Sequence, residues 1–259
     1  MRKRLFLLSL AALLGFIPRV QAANFTVSTD AELITAITAA NSNNQDDTIT
    51  LSANIALTAA VDSTDGANGL PSIGADGGNS LTIEGAGFTI SRSGAATFRL
   101  MHISNGAEVY INNLTMSNGL ANAGGLGTLG AAIYTAGALT VADSTFSNNV
   151  ATTVSGLGAG IFANRVNLNV TRSVFSTNQA AMGAAIYSYN NSSTVTDSLF
   201  SNNQSQYGGG ALSNESANLT LSNSTITGNS APSSYGGALY QLGATAILTN
   251  NTITNNSAG

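Results

Sequence analysis

The chain has 259 residues, 12 of them acidic and 8 basic, with charged residues at only 8% of the total and no cysteine. The lack of cysteine excludes disulfides and thiolate metal sites. The scarcity of cations excludes a nucleic-acid or anionic-lipid surface, which needs clustered Lys and Arg, so stability has to come from packing and hydrogen bonds alone.

Residues 1–22 read as a secretory signal peptide. Arg2, Lys3 and Arg4 form a positive start, Leu5 to Ile17 is an apolar run too short to span a bilayer comfortably, and Val20-Gln21-Ala22 offers a cleavage site. Four of the eight basic residues (Arg2, Lys3, Arg4 and Arg19) lie there. The mature chain therefore keeps four arginines against twelve acids, a formal charge of −8, with no lysine and no membrane-spanning segment.

Residues 23–60 read as an N-terminal cap and a first coil. Asn24 to Val27 is strand-like, and Thr29 with Glu32 fits a capping box. Leu33, Ile34 and Ile37 then form one apolar face of a short helix. "DDTITLSANIALT" follows as the first coil, with the helix lying across its open end. Residues 61–80 are polar and glycine-rich. They read as a loop excursion, either a tolerated insertion or a binding loop.

Residues 81–259 are a repeat. Aligned on glycine, "LGAAIY" at Gly130 recurs as "LGAGIF" at Gly158, "MGAAIY" at Gly183, "YGGGAL" at Gly208 and "YGGALY" at Gly236, in steps of 28, 25, 25 and 28 residues. Each is followed by a block such as "STFSNN". Its apolar residue falls at Phe146, Phe175, Phe200, Ile226 and Ile253, and an asparagine at Asn149, Asn178, Asn203, Asn229 and Asn256. Between the two lies an alternating segment whose central aliphatic is Ile83, Ile111, Val141, Val170, Val195, Leu221 and Leu248, six steps over 165 residues and so 27.5 on average. Leu51 is an eighth member. Three short β-type segments per repeat, closed by Gly, Asn, Asp or Ser, predict an all-β, right-handed parallel β-helix of about eight coils with a short N-terminal capping helix. Phe and Ile stack in a narrow core, and asparagines suit the corners. In the corner column Asn113, Asp143, Arg172, Asp197, Asn223 and Asn250, the run Asp-Arg-Asp reads as a surface ion-pair ladder. The chain stops at "TNNSAG", where earlier repeats begin their next glycine segment. It reads as truncated, with an uncapped edge open to end-to-end contact.

Gly236-Gly237-Ala238-Leu239, the looser "GAAI" at Gly130 and Gly183, and the pairs Phe146/Asn149, Phe175/Asn178 and Phe200/Asn203 resemble the repeats of polymorphic outer-membrane proteins first described in chlamydiae. The resemblance covers residues 110–259, and the N-terminal portion looks like the start of the pectate-lyase-like superfamily. It implies a secreted or surface-displayed passenger of a Gram-negative bacterium, often an adhesin carried by a C-terminal outer-membrane barrel. The chain departs from that pattern in lacking a series of alternating ~10-residue barrel strands.

Function follows as an expectation. The chain reads as a non-enzymatic secreted or cell-surface binding or structural module, its partner a cell-surface protein or glycan, with no cofactor or metal. Tyr134, Phe162, Tyr187, Leu212 and Tyr240 share one position and offer an aromatic face for stacking on sugar or protein, unless they point inward; alternation leaves both registers open. The alternative is a polysaccharide lyase or glycoside hydrolase, for which Glu84, Arg92, Arg99, His102 and Glu108 form the best catalytic set. Ice binding needs paired threonine columns. Thr140, Thr171, Thr196, Thr220 and Thr249 do not share one register, Thr171 and Thr196 following the central aliphatic and the others preceding it.

Overall fold

The computed structural model describes residues 22–151 and 154–259; the leader read over residues 1–22 lies outside them except for Ala22. The described chain is an all-β right-handed parallel solenoid with one short α-helix near its N-terminus. Its strands are two to five residues long because corners interrupt them. One corner column is Asn113, Asp143, Arg172, Asp197, Asn223 and Asn250, with φ from 45° to 54°. A second is Asn118, Asn148, Thr177, Asn202, Gly228 and Asn255, with φ from 55° to 68°. Gly, Asn and Asp reach this left-handed region at least cost, which is why they punctuate the repeat. Arg172 occupies its corner against that preference and grips Asp143 on the preceding rung in a bidentate pair, both bonds 2.7 Å.

Among the described residues the strands stack into four parallel sheets. The central sheet has nine strands, from Asn24–Val27 to Ala246–Thr249. The phenylalanine sheet has eight, from Ile55–Leu57 to Thr252–Thr254. The aromatic sheet has six, from Met101–Ile103 to Leu239–Leu242. The alanine sheet has five, from Val150–Ala151 to Ser257–Ala258. The central sheet exceeds the expected eight coils by one, because Asn24–Val27 pairs directly with Asp47–Leu51. Helix α1, Asp30–Ala40, closes the end with Leu33, Ala36, Ile37 and Ala40, and Thr29 and Glu32 form the expected capping box.

Three readings shift in register. The partner of Ile83 is Ile49, two residues before Leu51, which pairs instead with Val27. In "YGGGAL" the left-handed glycine is Gly209, so Leu212 joins the column of Ile133, Ile161, Ile186 and Leu239, and Ser213 stands level with Tyr187 and Tyr240. Thr249 falls in the column of Ser222, Thr196 and Thr171. The 61–80 stretch is also more than an excursion. Asn68, Leu70 and Ile73 are buried, and Ile73 bridges to Ile103, so its middle supplies a rung.

The lumen is a set of stacked columns. Phe146, Phe175 and Phe200 lie face to face, centroids 4.7 and 5.1 Å apart and planes within 9°; Met116 and Ile226 continue the column on either side. The asparagines three residues on are buried, yet each is fully paired. Asn178 Nδ2 donates to the Phe146 carbonyl one rung back and to Asn203 Oδ1 one rung forward. Its Oδ1 accepts from the Asn149 backbone N–H and Nδ2. The pattern runs from Asn149 to Asn256. A second buried ladder joins the backbone N–H of Ser144, Ser173 and Ser198 to Ser173, Ser198 and Ser224 Oγ. Small residues let two layers meet where the alanine sheet packs on the glycine segments. A Cβ on Gly210 would lie 2.0 Å from the Gly237 carbonyl oxygen.

Asn178→Ala leaves several buried groups unpaired, each costing about 1–3 kcal/mol. Guanidinium unfolding should register a loss of about 2–5 kcal/mol. Asn148→Gly, at the exposed left-handed corner one residue before Asn149, should stay within about 1 kcal/mol of the parent.

Candidate functional site

The strand Met101–Ile103 opens the aromatic sheet, sending Met101 and Ile103 into the main core and His102 to the other side. There His102 is 1% exposed, roofed by the 61–74 stretch. Its Nδ1 lies 2.5 Å from Ser72 Oγ and its Nε2 3.2 Å from Asp65 Oδ2. Ser72 Oγ is also 2.7 Å from Ser104 Oγ. The ring stacks on Tyr134 at 5.1 Å and 16°. Burial first, and then the charge of Arg99, hold His102 below its ordinary pKa, against the pull of Asp65 and Asp62. At neutral pH the imidazole is therefore uncharged.

Arg99 is 1% exposed and lies over the Tyr134 ring, 4.9 Å from its centroid. Its Nη2 donates to the carbonyls of Asp65 at 2.9 Å and Leu126 at 2.5 Å, while Nε and Nη1 have no hydrogen-bond partner. Burial pulls the guanidinium down to about 10, with Tyr134, Asp65 and Asp62 pulling the other way. Asp62 in turn accepts from Asn68 Nδ2 at 2.7 Å, which shapes the turn carrying Asp65 at φ 53°.

The five residues read as a catalytic set do not converge. Glu84 and Glu108 are on adjacent central-sheet strands, but Glu84 is level with Asn112 and Glu108 with Ser80. That four-residue offset is about 13 Å along the strand. Glu84 accepts from Asn112 Nδ2, and Glu108 from the Tyr110 hydroxyl. Arg92 is on the phenylalanine sheet, donating to the carbonyls of Asn118, Gly94 and Ala96. Only Arg99 and His102 come together. Their companions Asp65, Ser72 and Ser104 escaped the sequence reading; the signal available was the near-repeat spacing of Ile73, Ile103 and Thr135, which form one column.

The aromatic column is not a free binding face. Tyr134, Phe162 and Tyr187 are 2%, 5% and 3% exposed and stack in series, with Leu129 completing the cluster and Leu157, Met182 and Tyr189 packed on it. Tyr240 is half-buried. The aromatics do not fill the main core either: Ile133, Ile161, Ile186 and Leu212 do, so the strand is buried on both sides. The Tyr187 hydroxyl donates to Glu215, and burial with that bond raises its pKa. Among the described residues no group of three or more His, Cys, Asp or Glu is placed to hold a metal ion, and no helix is long and apolar enough to cross a membrane.

A family model described as "right handed beta helix region" matches residues 67–226 and, in a second match, 159–259. Comparison with the curated proteins finds no match.

His102 is the only histidine, and the unfolded chain binds its proton more readily than the native one. Stability should therefore be complete above pH 7 and fall as the pH drops below the ordinary histidine value of 6.5. Melting temperatures between pH 7.5 and 5.5 should decline in the parent and flatten in His102→Gln.

Proposed function

Because the chain belongs to the family of right-handed β-helix regions, we propose that it is an extracellular adhesin-like or passenger-like protein that binds a glycan or protein along a flat face and does not cleave glycosidic bonds. The observation that carries this is the outer face of the phenylalanine sheet. Ser91, Ser117, Ser147, Ser176, Ser201, Thr227 and Thr254 stand in one register over seven rungs. Beside them run Thr89, Thr115, Thr145, Val174, Leu199, Thr225 and Thr252. At a rung spacing of about 4.8 Å the double column extends about 29 Å.

These hydroxyls are half-buried or exposed, and their side chains make no hydrogen bond within the described residues. The face therefore presents unengaged donors and acceptors on short side chains, which have little rotamer entropy to lose on binding. The central sheet is less suited, since Glu84 and Asn112 bond each other across it, as do Thr171 and Thr196. The lyase or hydrolase alternative has weaker support. Its two glutamates are offset beyond the roughly 5–9.5 Å over which a carboxylate pair acts, and its arginines are held by backbone carbonyls. Secretion, or display on the outer surface of a Gram-negative bacterium, is part of the same proposal and rests on the leader-like residues 1–22.

Binding of the mature chain to a glycan and surface-protein array is the test. Ser176→Arg, at mid-face, should weaken whatever binding the parent shows by tenfold or more, about 1.4 kcal/mol, without moving the melting temperature. Unchanged binding in that variant, or depolymerisation of any panel glycan with or without Ca²⁺, would sink the reading.

A further inference from the structure

The roofed cluster at the first rungs holds parts that surface binding does not use. We propose that Ser72, His102 and Asp65 form a serine-nucleophile site that cleaves small acyl esters.

The hydrogen-bond directions follow from chemistry. An ionised Asp65 carboxylate only accepts, so the Nε2 at 3.2 Å carries the proton. The neutral ring then leaves a lone pair on Nδ1, and the Ser72 hydroxyl at 2.5 Å must donate to it. Ser104, 2.7 Å away, in turn donates to Ser72 Oγ. A nucleophile within reach of a base, and a base oriented by a third group, is the general arrangement of activated hydroxyls. The ring nitrogens have exchanged the roles they play in the familiar triad, which leaves the proton count unchanged and puts the serine at the nitrogen nearer the histidine's own backbone. Stacking on Tyr134 fixes the imidazole plane, and burial keeps the ring unprotonated at pH 7, the form that can accept the serine proton.

Access differs across the cluster as the chemistry requires. His102 is buried, Ser72 and Ser104 are half-buried, and the Asp65 side chain is 40% exposed. The Ser72 hydroxyl has the small Ser104 side chain beside it, and Asn41 Nδ2 donates to the Ser72 carbonyl at 2.8 Å, which fixes the backbone that carries the nucleophile. In the reaction Ser72 Oγ attacks the ester carbonyl carbon while its proton passes to His102 Nδ1. The imidazolium, held by Asp65, returns that proton to the departing alcohol oxygen as the C–O bond breaks, leaving acyl-Ser72. Water then attacks the acyl carbon, gives a proton to the same nitrogen, and the carboxylic acid leaves as Ser72 regains its hydrogen. Ser72 and His102 are the catalytic residues; Asp65 is a positioning residue.

The full mature chain treated with a fluorophosphonate probe should gain one adduct, mapped by peptide mass to Ser72. Ser72→Ala and His102→Gln should abolish it and lower p-nitrophenyl acetate turnover by about 10²-fold or more, while Asp65→Asn should slow labelling and move its pH midpoint. Because His102→Gln removes a buried ring, Ser72→Cys supplies a separate reading in a chain without cysteine. Its iodoacetamide alkylation should titrate well below the free-thiol value of about 8.5. No adduct on the folded parent, an adduct that persists in Ser72→Ala, or a thiol titrating near 8.5 overturns the proposal. None of these readouts depends on binding at the phenylalanine-sheet face.

Discussion

Everything in this molecule is subject to one constraint: a side chain has its counterpart from the neighbouring rung directly above and below it, about 4.8 Å away. A position is therefore judged by whether its residue tolerates its own kind. Phenylalanine does, and Phe146, Phe175 and Phe200 stack almost parallel. Asparagine does better, because one amide carries both donor and acceptor and can bond forward and backward at once. Charge does not, and charged residues are only 8% of the chain. Where acids and bases share a column, as at Asp143, Arg172 and Asp197, they alternate in sign.

The same constraint gives the protein two interiors. The lumen is filled by large apolar residues and the amide ladder. Outside it, a second layer forms where the alanine sheet and its following turns fold back over the aromatic sheet. The Gly-Gly-Ala and Gly-Ala-Ala segments sit between the two, and their small residues let backbones close to distances that a larger side chain would forbid. Strands flanked by both layers lose the alternation of buried and open positions: Ile133, Tyr134 and Thr135 are all buried.

This explains what was legible in the sequence. The columns of Phe146 and Asn149 and the central aliphatics could be read outright, because each is chemically homogeneous and recurs at nearly constant spacing. The buried serine ladder was equally periodic, but serine at a turn looks like solvent-facing punctuation. Three consecutive glycines at 208–210 hid which one turned the corner, and a one-residue slip there exchanged Leu212 with Ser213. The aromatic column read as inward or outward because alternation assumes one core, and there are two. The Ser72, His102 and Asp65 group was illegible for a different reason: Asp65 and Ser72 come from a glycine-rich segment whose repeat is masked by the turn at Asp62 to Asn68, and only the fold brings them beside His102 on the strand Met101–Ile103.

The handful of cations has a consequence for attack by proteases. Between residues 23 and 259 there is no lysine, and arginine occurs only at 92, 99, 165 and 172. Arg99 is sealed inside, Arg92 is lashed to three carbonyls, and the other two occupy left-handed corners. Trypsin-like proteases need a basic residue on a segment that can be drawn out straight. A bend locked between neighbouring rungs gives them nothing to thread, so the rule that keeps charge out of the stack also strips it of cleavage points.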